Sequence, residues 1–335
     1  MKAIVIDHNS GGSITFAHLP EPTLKPGQVR IRVHAASVNR ADLLQRNGAY
    51  HSTTSAPALQ PLGLDVAGEI IEVSSDVGGF VPGDRVMTMV GGGYAEQVVV
   101  DASMLLSLPR NWSYVEGAAA VVGFMTSHNA LITAARMASG ETVCVHAATS
   151  AVGLQSVQLA RYLGASQIIG TSRSGRGRDL LKRVGVDELV DTSVSDFASR
   201  ALEVTRGQGL DVILDYVGGG LLPDNVAAAA IQGRIIGIGR LGGSEGTLDM
   251  EALAFKRLEI VGVTFRTRSA AEKSDVVQAL CRDIPTFRPD TVDNQAPEEL
   301  RPIIYRALPW SRIDFAHELM EENKALGKLV LEVEQ

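Results

Sequence analysis

Short runs of alternating apolar and polar residues dominate the first third of the chain. Examples are QVRIRVHAASVN (28–39), LDVAGEIIEV (64–73) and DRVMTMV (84–90), with Pro-Gly turns at 26–27 and 82–83. Alternation with a period of two predicts strands that bury one face. Because no helical pattern separates these strands, the region predicts a β-rich, barrel-like domain.

From about Trp112 onwards, helical stretches alternate with short apolar strands such as TVCVHA, QIIGTS, LDVILDYVGG and GRIIGIGR. This alternation predicts an α/β domain with a doubly wound parallel sheet that helices cover on both faces. The tail mixes helical segments with a closing strand, KLVLEVE, and we expect it to pack on the first domain. The predicted domains are therefore 1–118 together with 266–335, and 119–265.

Composition narrows the functional classes. The 335 residues carry a net charge of −7, which argues against nucleic acid or an anionic membrane as a partner. No apolar run approaches the roughly 20 residues of a membrane helix, and MKAIVIDHNSGG has no signal-peptide features. The two cysteines, Cys144 and Cys281, exclude a disulfide framework. We expect a cytoplasmic protein.

The segment VCVHAATSAVGLQSVQLARYLGA (143–165) predicts a strand, a tight turn and a helix. In a dinucleotide-binding G-x-G-x-x-G turn, the three glycines allow the turn, the approach of pyrophosphate and close helix packing. Ala147 and Ser150 replace the first two, and Gly153 keeps the third role. The helix amino terminus still offers free N–H groups, so Thr149, Ser150, Ala151, Val152 and Gly153 are candidate phosphate contacts. An Ala-rich corner without a ligand is the alternative.

The next strand decides which dinucleotide would fit. NAD-selective folds place an acid about 20 residues beyond the turn, but this chain reads TSRSGRGR (171–178) with no acid before Asp179. Ser172, Arg173 and Arg176 are suited to a 2′-phosphate. A solvated basic loop is the alternative. Small residues at strand ends leave room for the rest of the cofactor, and we predict NADPH with further contacts from Gly170, Val217, Gly218, Gly237, Ile238 and Gly239.

Several stretches together resemble the medium-chain dehydrogenase/reductase superfamily. They are AASVNRADLLQRNGAY (35–50), PLGLDVAGEI (61–70), GGGYAEQVVV (91–100), VCVHAATSAVG, LDYVGG and ENKALGKLVLEVEQ. Within that superfamily, the chain resembles the zinc-independent quinone oxidoreductases. The turn HAATSAVG is most similar to the branch typified by the tumour-suppressor-induced quinone oxidoreductase. The resemblance implies a GroES-like barrel domain beside a Rossmann domain, a homodimer, and transfer of hydride or electrons from NADPH to a quinone or conjugated carbonyl in the interdomain cleft.

The resemblance also bears on zinc and on phosphate recognition. Zinc-dependent relatives carry Cys where this chain has Asn39, and Gly-His-Glu where it has Gly63-Leu64-Asp65. The seven histidines show no ligand-like spacing, and we predict no metal. His146 is expected to be a buried strand-end residue. Thr192 stands where the family often has a Tyr against the adenosine phosphate.

Three residues are candidates for the chemistry. By resemblance, Tyr50 faces the substrate, Asn39 lies beside the nicotinamide, and Thr126 lies next to its carboxamide. Each has a structural alternative. Tyr50 could be a surface aromatic, Asn39 could form a capping box with Asp42, and the Thr126 hydroxyl could bond to its own helix.

Four further residues are candidate cofactor contacts by resemblance. Phe265 and Arg266 follow the last Rossmann strand, and Asn323 and Lys328 would reach the cofactor from the tail. A solvated charge at a helix end is the alternative for Lys328.

Two other functions remain open. A related activity is NADPH-dependent reduction of an enone or 2-alkenal double bond, which needs a proton donor, for which Tyr50 is the candidate. The other is an NADPH-binding structural or sensor protein. For the homodimer, the apolar strand GRIIGIGR (233–240) is a candidate for edge-to-edge pairing.

Overall fold

A computed structural model describes residues 1–7, 13–48, 59–291 and 294–334. Tyr50 lies outside the described residues. The chain divides into two compact units, Met1–Val122 with Ala270–Gln335, and Gly123–Ser269. The predicted boundaries, 118/119 and 265/266, each lie four residues before those of the structure. The tail joins the first unit through its own helices and strands.

Strands dominate the first unit. They are β1 (Lys2–Asp7), β2 (Ser13–His18), β3 (Gln28–Val38), β4 (Leu59–Pro61), β5 (Asp65–Val73), β6 (Arg85–Met89), β7 (Gln97–Asp101), β8 (Leu105–Ser107), β15 (Ile304–Pro309) and β16 (Lys328–Glu332). The helices of this unit are α1 (Arg40–Arg46), α8 (Ala270–Asp283) and α9 (Ile313–Glu321), with the first part of α2 (Tyr114–His128).

The strands of the first unit form two sheets. One has the order β2-β1-β4, and the other β15-β16-β3-β5-β6-β8, with β7 also paired to β3. In β3 buried and less buried positions alternate at first, as its sequence pattern predicts, and the last four residues are all buried. The tail strand β16 pairs antiparallel with the end of β3, where Leu329 faces Val38. This pairing brings the carboxyl end of the chain next to Asn39.

The second unit is built from alternating strands and helices. Its strands are β9 (Thr142–Val145), β10 (Gln167–Ser172), β11 (Glu188–Asp191), β12 (Leu210–Asp215), β13 (Ala229–Gly237) and β14 (Glu259–Gly262). Its helices are the end of α2, α3 (Ala151–Tyr162), α4 (Arg178–Val184), α5 (Phe197–Val204), α6 (Leu222–Ala228) and α7 (Met250–Lys256).

All pairings in this second sheet are parallel, and the strand order is β11-β10-β9-β12-β13-β14. Numbered from β9, that order is 3-2-1-4-5-6, the doubly wound arrangement in which ligands bind at the carboxyl ends of the strands. β9 and β12 are almost wholly buried, as expected for strands covered on both faces. The predicted fold class is confirmed.

One prediction about this sheet is wrong. Residues 233–240 do not form an edge strand, because β13 is hydrogen-bonded to β12 on one side and to β14 on the other. β11 and β14 are the outer strands. Within the described residues, no helix combines the length and apolar character needed to cross a membrane.

Candidate functional site

The turn between β9 and α3 presents free backbone donors. Ser150 is the helix N-cap, and its Oγ accepts the Gly153 N–H at 3.1 Å. The N–H groups of Ala151 and Val152, at the first two helical positions, have no acceptor among the residues that the structure describes. Two amides and the positive end of the α3 dipole therefore point out of the turn, an arrangement that binds phosphate.

The backbone of this turn is tight. Ala147, in the place of the first glycine of the fingerprint, has φ of 49°, a conformation that glycine adopts more readily than alanine. A Cβ on Gly153 would lie 2.5 Å from the carbonyl oxygen of Ala147. Only glycine fits there without displacing the backbone, so Gly153 keeps the packing role predicted from the sequence.

The segment after β10 carries the predicted arginines. Ser172 is buried, whereas Arg173 and Arg176 are exposed. Thr192 holds the segment from β11, because its N–H and its hydroxyl both donate to the Ser172 carbonyl, at 2.9 and 3.2 Å. The side chain of Thr192 is thus used to anchor the basic segment.

An acid also lies at this position, and sequence reasoning missed it. Asp191 ends β11 and is the register partner of Ser172. Hydrogen bonds from the Ser193 hydroxyl and N–H lower the pKa of Asp191, and nearby Arg178 lowers it further. The carboxylate is therefore ionised at neutral pH and offsets part of the positive charge. The acid lies on the adjacent strand rather than on β10, and the signal that could have found it is its neighbour Thr192, whose position the resemblance places against the adenosine phosphate.

The ends of β12 and β13 are joined through Asp215. Its Oδ1 accepts the N–H groups of Val217 and Gly218, both at 2.8 Å. Its carbonyl oxygen accepts those of Ile238 and Gly239, at 2.8 and 3.1 Å. The backbones approach so closely that a Cβ on Gly239 would lie 2.0 Å from the Tyr216 carbonyl oxygen. These predicted cofactor residues therefore occupy one fixed backbone platform.

The predicted cofactor residues of the second unit follow the carboxyl ends of its parallel strands. Phe265 and Arg266 come shortly after β14, and the Arg266 N–H donates to the Thr264 hydroxyl at 3.2 Å. Gly170 differs from the others. A Cβ on it would meet the side chains of Ala148 and Val186 at 3.1–3.2 Å, so its missing side chain serves packing inside the sheet. The donor amides at this edge fit the pyrophosphate of a nicotinamide dinucleotide.

In the first unit, Asn39 is the centre of a buried polar cluster. Its backbone is the N-cap of α1, and its N–H donates to the Asp42 carboxylate at 2.7 Å. Its Nδ2 donates to the Ser37 carbonyl and to Asp65 Oδ1, both at 3.2 Å. Its Oδ1 accepts from Lys328 Nζ at 2.6 Å. The structure therefore contains the contact of the predicted capping box in which the Asp42 carboxylate accepts the Asn39 N–H. The Asn39 side chain bonds to Ser37, Asp65 and Lys328.

Lys328 belongs to this cluster. It is 4% exposed at the start of β16, and its Nζ lies 3.8 Å from Asp65 Oδ2. The alternative of a solvated charge at a helix end is therefore wrong. The tail strand β16 instead delivers an ammonium group to the polar cluster of the first unit.

Burial raises the pKa values of the two acids in the cluster. Burial raises the pKa of Asp42 to about 7, and hydrogen bonds from Tyr94 and the Asn39 backbone oppose the rise. The Tyr94 hydroxyl donates to Asp42 Oδ2 at 2.7 Å. Burial also raises the pKa of Asp65, although Lys328 opposes this. Oδ1 of Asp42 has no hydrogen-bond partner among the described residues, which leaves room there for a proton.

These residues do not fit a metal ion. A carboxamide oxygen is a weak zinc ligand, and here the Lys328 ammonium already occupies it. Residue 64 is Leu, which has no ligand atom. Among the described residues, no group of three His, Cys, Asp or Glu side chains is arranged to hold a metal.

Asn323 and Thr126 are not among the hydrogen-bond partners of Asn39 within the described residues. The Asn323 carboxamide accepts from half-buried Arg40 at 2.8 Å and donates to the Glu321 carbonyl at 3.1 Å. Thr126 is half-buried on the part of α2 that belongs to the second unit. The structure thus brings Asn39 and Lys328 into contact, and leaves the predicted roles of Asn323 and Thr126 as predictions.

Comparisons with known proteins agree with this architecture. The family model described as zinc-binding dehydrogenase matches residues 151–281, and that of the alcohol dehydrogenase GroES-like domain matches residues 25–110. Human quinone oxidoreductase is 30% identical over 319 residues, which cover 92% of this chain and 90% of that protein.

Two solved structures are similar over their full length. An NAD-dependent alcohol dehydrogenase has a TM-score of 0.85 and 28% identity, covering 100% of both chains. The quinone oxidoreductase of Thermus thermophilus, solved also in complex with NADPH, has a TM-score of 0.81 and 28% identity, covering 99% of this chain and 100% of that one. Together with the doubly wound sheet and the donor-rich edge, these similarities show that the chain is an oxidoreductase that belongs to the quinone oxidoreductases of the medium-chain dehydrogenase/reductase superfamily.

Proposed function

We propose that the protein is a metal-independent quinone oxidoreductase that uses NADPH. One observation carries this proposal. The free amides of Ala151 and Val152 at the start of α3 and a basic segment after the next strand, β10, both lie at the carboxyl ends of the parallel strands. The amides suit a pyrophosphate, and the guanidinium groups of Arg173 and Arg176 suit a 2′-phosphate. The human and Thermus relatives, which are named quinone oxidoreductases, support the substrate class.

Two observations limit the selectivity to be expected. The Asp191 carboxylate at the end of β11 would repel a 2′-phosphate, and the similar alcohol dehydrogenase is NAD-dependent. NADPH remains the better fit, because Arg173 and Arg176 both stand on the segment that follows Ser172, whereas Asp191 is already bonded to Ser193. We therefore propose a preference for NADPH that salt weakens.

Reduction of a quinone by NADPH requires the protein mainly to position the two molecules. NADPH, when bound, supplies a hydride. Ser150 Oγ accepts the Gly153 N–H, and its hydroxyl proton can be donated to a phosphate oxygen. A quinone is a strong acceptor whose reduced oxygens take protons from water, so it needs no dedicated strong acid. Positioning by the chain supplies the catalysis.

We also propose that Tyr50, Asn39 and Thr126 contact the substrate or the nicotinamide. For Asn39 the structure restricts what this contact can be. Both Nδ2 hydrogens are directed to Ser37 and Asp65, and Oδ1 already accepts from Lys328, so Asn39 offers one oxygen lone pair as an acceptor. We therefore propose that Asn39 does not donate a hydrogen bond to the acceptor molecule.

We also propose that the protein is a homodimer and is cytoplasmic. The outer strand β14 has exposed residues along most of its length, including Ile260 at 43% exposure. An unpaired edge with apolar side chains favours pairing with a second copy. Sedimentation of the purified protein tests the dimer.

The test of function is a screen of NADPH oxidation. Quinones of increasing ring size and a 2-alkenal serve as acceptors, and NADH replaces NADPH in a parallel series. The proposal expects turnover with quinones, slower turnover with the alkenal, and a lower KM for NADPH than for NADH. Faster reduction of the alkenal would indicate a double-bond reductase. Tight NADPH binding without turnover of any acceptor would indicate a binding protein instead.

A further inference from the structure

A buried chain of four side chains connects the strand ends of the second unit. His146, which follows β9, has Nδ1 2.8 Å from the Thr171 hydroxyl on β10 and Nε2 2.6 Å from Asn225 Oδ1 on α6. Asn225 Nδ2 donates to Oδ2 of Asp215, the last residue of β12, at 3.1 Å. Each of the four residues is at most 4% exposed. Water therefore cannot replace these contacts from the surface.

The hydrogen bonds of this chain have one direction. The Asp215 carboxylate only accepts, so the Asn225 NH₂ group faces Asp215 and its oxygen faces His146. The oxygen requires a proton on His146 Nε2. Burial lowers the pKa of His146, so the ring is neutral and Nδ1 carries no proton. Thr171 must then donate to Nδ1.

The chain links segments that this unit uses for its proposed cofactor. Thr171 directly precedes Ser172, the last residue of β10, which Arg173 follows. Asp215 holds the Val217 and Gly218 amides through its other oxygen. The His146 side chain lies between them, one residue before the turn that starts at Ala147. Neighbouring parallel strands fix the backbones, and these side chains fix the loops that leave them.

We propose that His146 is a positioning residue for the dinucleotide, setting the distance between the segment after β10 and the segment after β12 through Thr171, Asn225 and Asp215. The inference rests on the proposed binding of NADPH at this edge. A whole dinucleotide spans both segments, whereas its 2′-phosphoadenosine half needs the segment after β10 and the α3 turn but not the segment after β12. The segment after β10 keeps its own anchor, since Ser172 remains bonded to Thr192.

The test compares two substitutions of one residue. Thr171→Val removes the hydroxyl at nearly constant shape, and Thr171→Ser retains it. Calorimetric titration measures binding of NADPH and of 2′,5′-ADP. We expect Thr171→Val to weaken NADPH about fivefold, the size of one lost hydrogen bond, and 2′,5′-ADP less than about twofold. Thr171→Ser should bind NADPH within about twofold of the wild type, on the same reasoning.

Thr142→Val is the matched control, because it removes hydrogen bonds to Asp211 at the opposite ends of β9 and β12. It should leave both affinities unchanged. Unchanged NADPH binding in Thr171→Val, or equal losses of NADPH and 2′,5′-ADP, would overturn the positioning role. If the wild type binds neither molecule, the proposed function fails together with it.

A spectroscopic measurement on the wild type tests the same inference without any ligand. Nitrogen-15 chemical shifts of the histidine side chains should show His146 neutral, with the proton on Nε2 and none on Nδ1. The other tautomer would leave His146 Nε2 and Asn225 Oδ1 without a proton between them and would overturn the inference. This result does not depend on whether a Thr171 variant folds.

Discussion

Lys328 donates to Asn39 across almost the entire length of the chain, 289 residues apart in sequence and 2.6 Å apart in space. The contact fixes the orientation of the Asn39 carboxamide, because an ammonium can only donate and therefore selects the oxygen. Asp65 selects the nitrogen from the other side. A charged residue on the last strand thus determines which polar atom a predicted active-site residue can offer.

Lys328→Met is expected to destabilise the first unit strongly. Lys328 and Asp65 side chains are 5% and 0% exposed, and removing one partner of a buried ion pair costs about 3–5 kcal/mol. Urea unfolding at pH 8 measures the loss. The exposed Lys324, paired with Glu322 on the same segment, supplies the control Lys324→Met, for which we expect a loss below about 1 kcal/mol. The double variant Lys328→Met/Asp65→Asn should recover part of the stability. Equal losses for the two lysine variants would show that the buried pair contributes nothing.

Asp42→Asn is expected to stabilise the protein at pH 8 and to have little effect at pH 4. Burial raises the pKa of Asp42 from 3.8 to about 7, so the folded state binds this proton more tightly than the unfolded state. The contribution is fully present below pH 3.8 and is lost as the pH rises through about 7. Over those roughly three units it is on the order of 4 kcal/mol. Asparagine imitates the protonated acid, since one oxygen can still accept from Asn39 and Tyr94.

The measurement is the free energy of unfolding of the wild type and of Asp42→Asn between pH 4 and 8. The difference between the two proteins should grow with pH across this range. A difference that is constant with pH would mean that Asp42 does not titrate in the window.

Local patterns predicted the elements well, because each depends on residues close in sequence. The alternation in 28–39, 64–73 and 84–90 became β3, β5 and β6, and the apolar runs after Trp112 became the parallel sheet. The contacts within the site were less accessible. Asp191 lies opposite Ser172 through the register of β11 with β10, and Lys328 reaches Asn39 through the pairing of β16 with β3. Register and strand order are set by packing of the whole unit, which no single window of sequence contains.

The turn before α3 also shows what the sequence predicted and what only the structure shows. The sequence identified Ala147 as a replacement for a glycine, and the structure gives that residue the left-handed backbone, φ 49°, that the replaced glycine would adopt easily. Alanine is the smallest side chain that can stand there, at a cost in backbone strain.

Ala147→Gly is therefore expected to stabilise the second unit. Relief of the left-handed alanine is worth about 1–2 kcal/mol, and the greater freedom of glycine in the unfolded chain offsets about 0.5–1 kcal/mol. The net gain in the free energy of unfolding is about 0.5–1 kcal/mol by these principles. Ala148→Gly is the control. Ala148 is buried and has no left-handed backbone, so that variant should lose stability. Thermal or urea unfolding of both variants decides, and a loss in both would show that Ala147 is unstrained.

Arg173→Ala should weaken NADPH binding and leave NADH binding nearly unchanged. A charge-assisted contact between guanidinium and phosphate is worth about 1.5–3 kcal/mol, so the Kd for NADPH should rise roughly tenfold or more. The Kd for NADH should stay within about twofold, because NADH has no 2′-phosphate for the arginine to meet. Fluorescence titration at one fixed ionic strength measures both. Arg183→Ala is the matched control, since it removes an equal charge from an exposed position on α4. Parallel losses for both cofactors would mean that Arg173 supports the loop rather than the phosphate, and the preference for NADPH would then need another source.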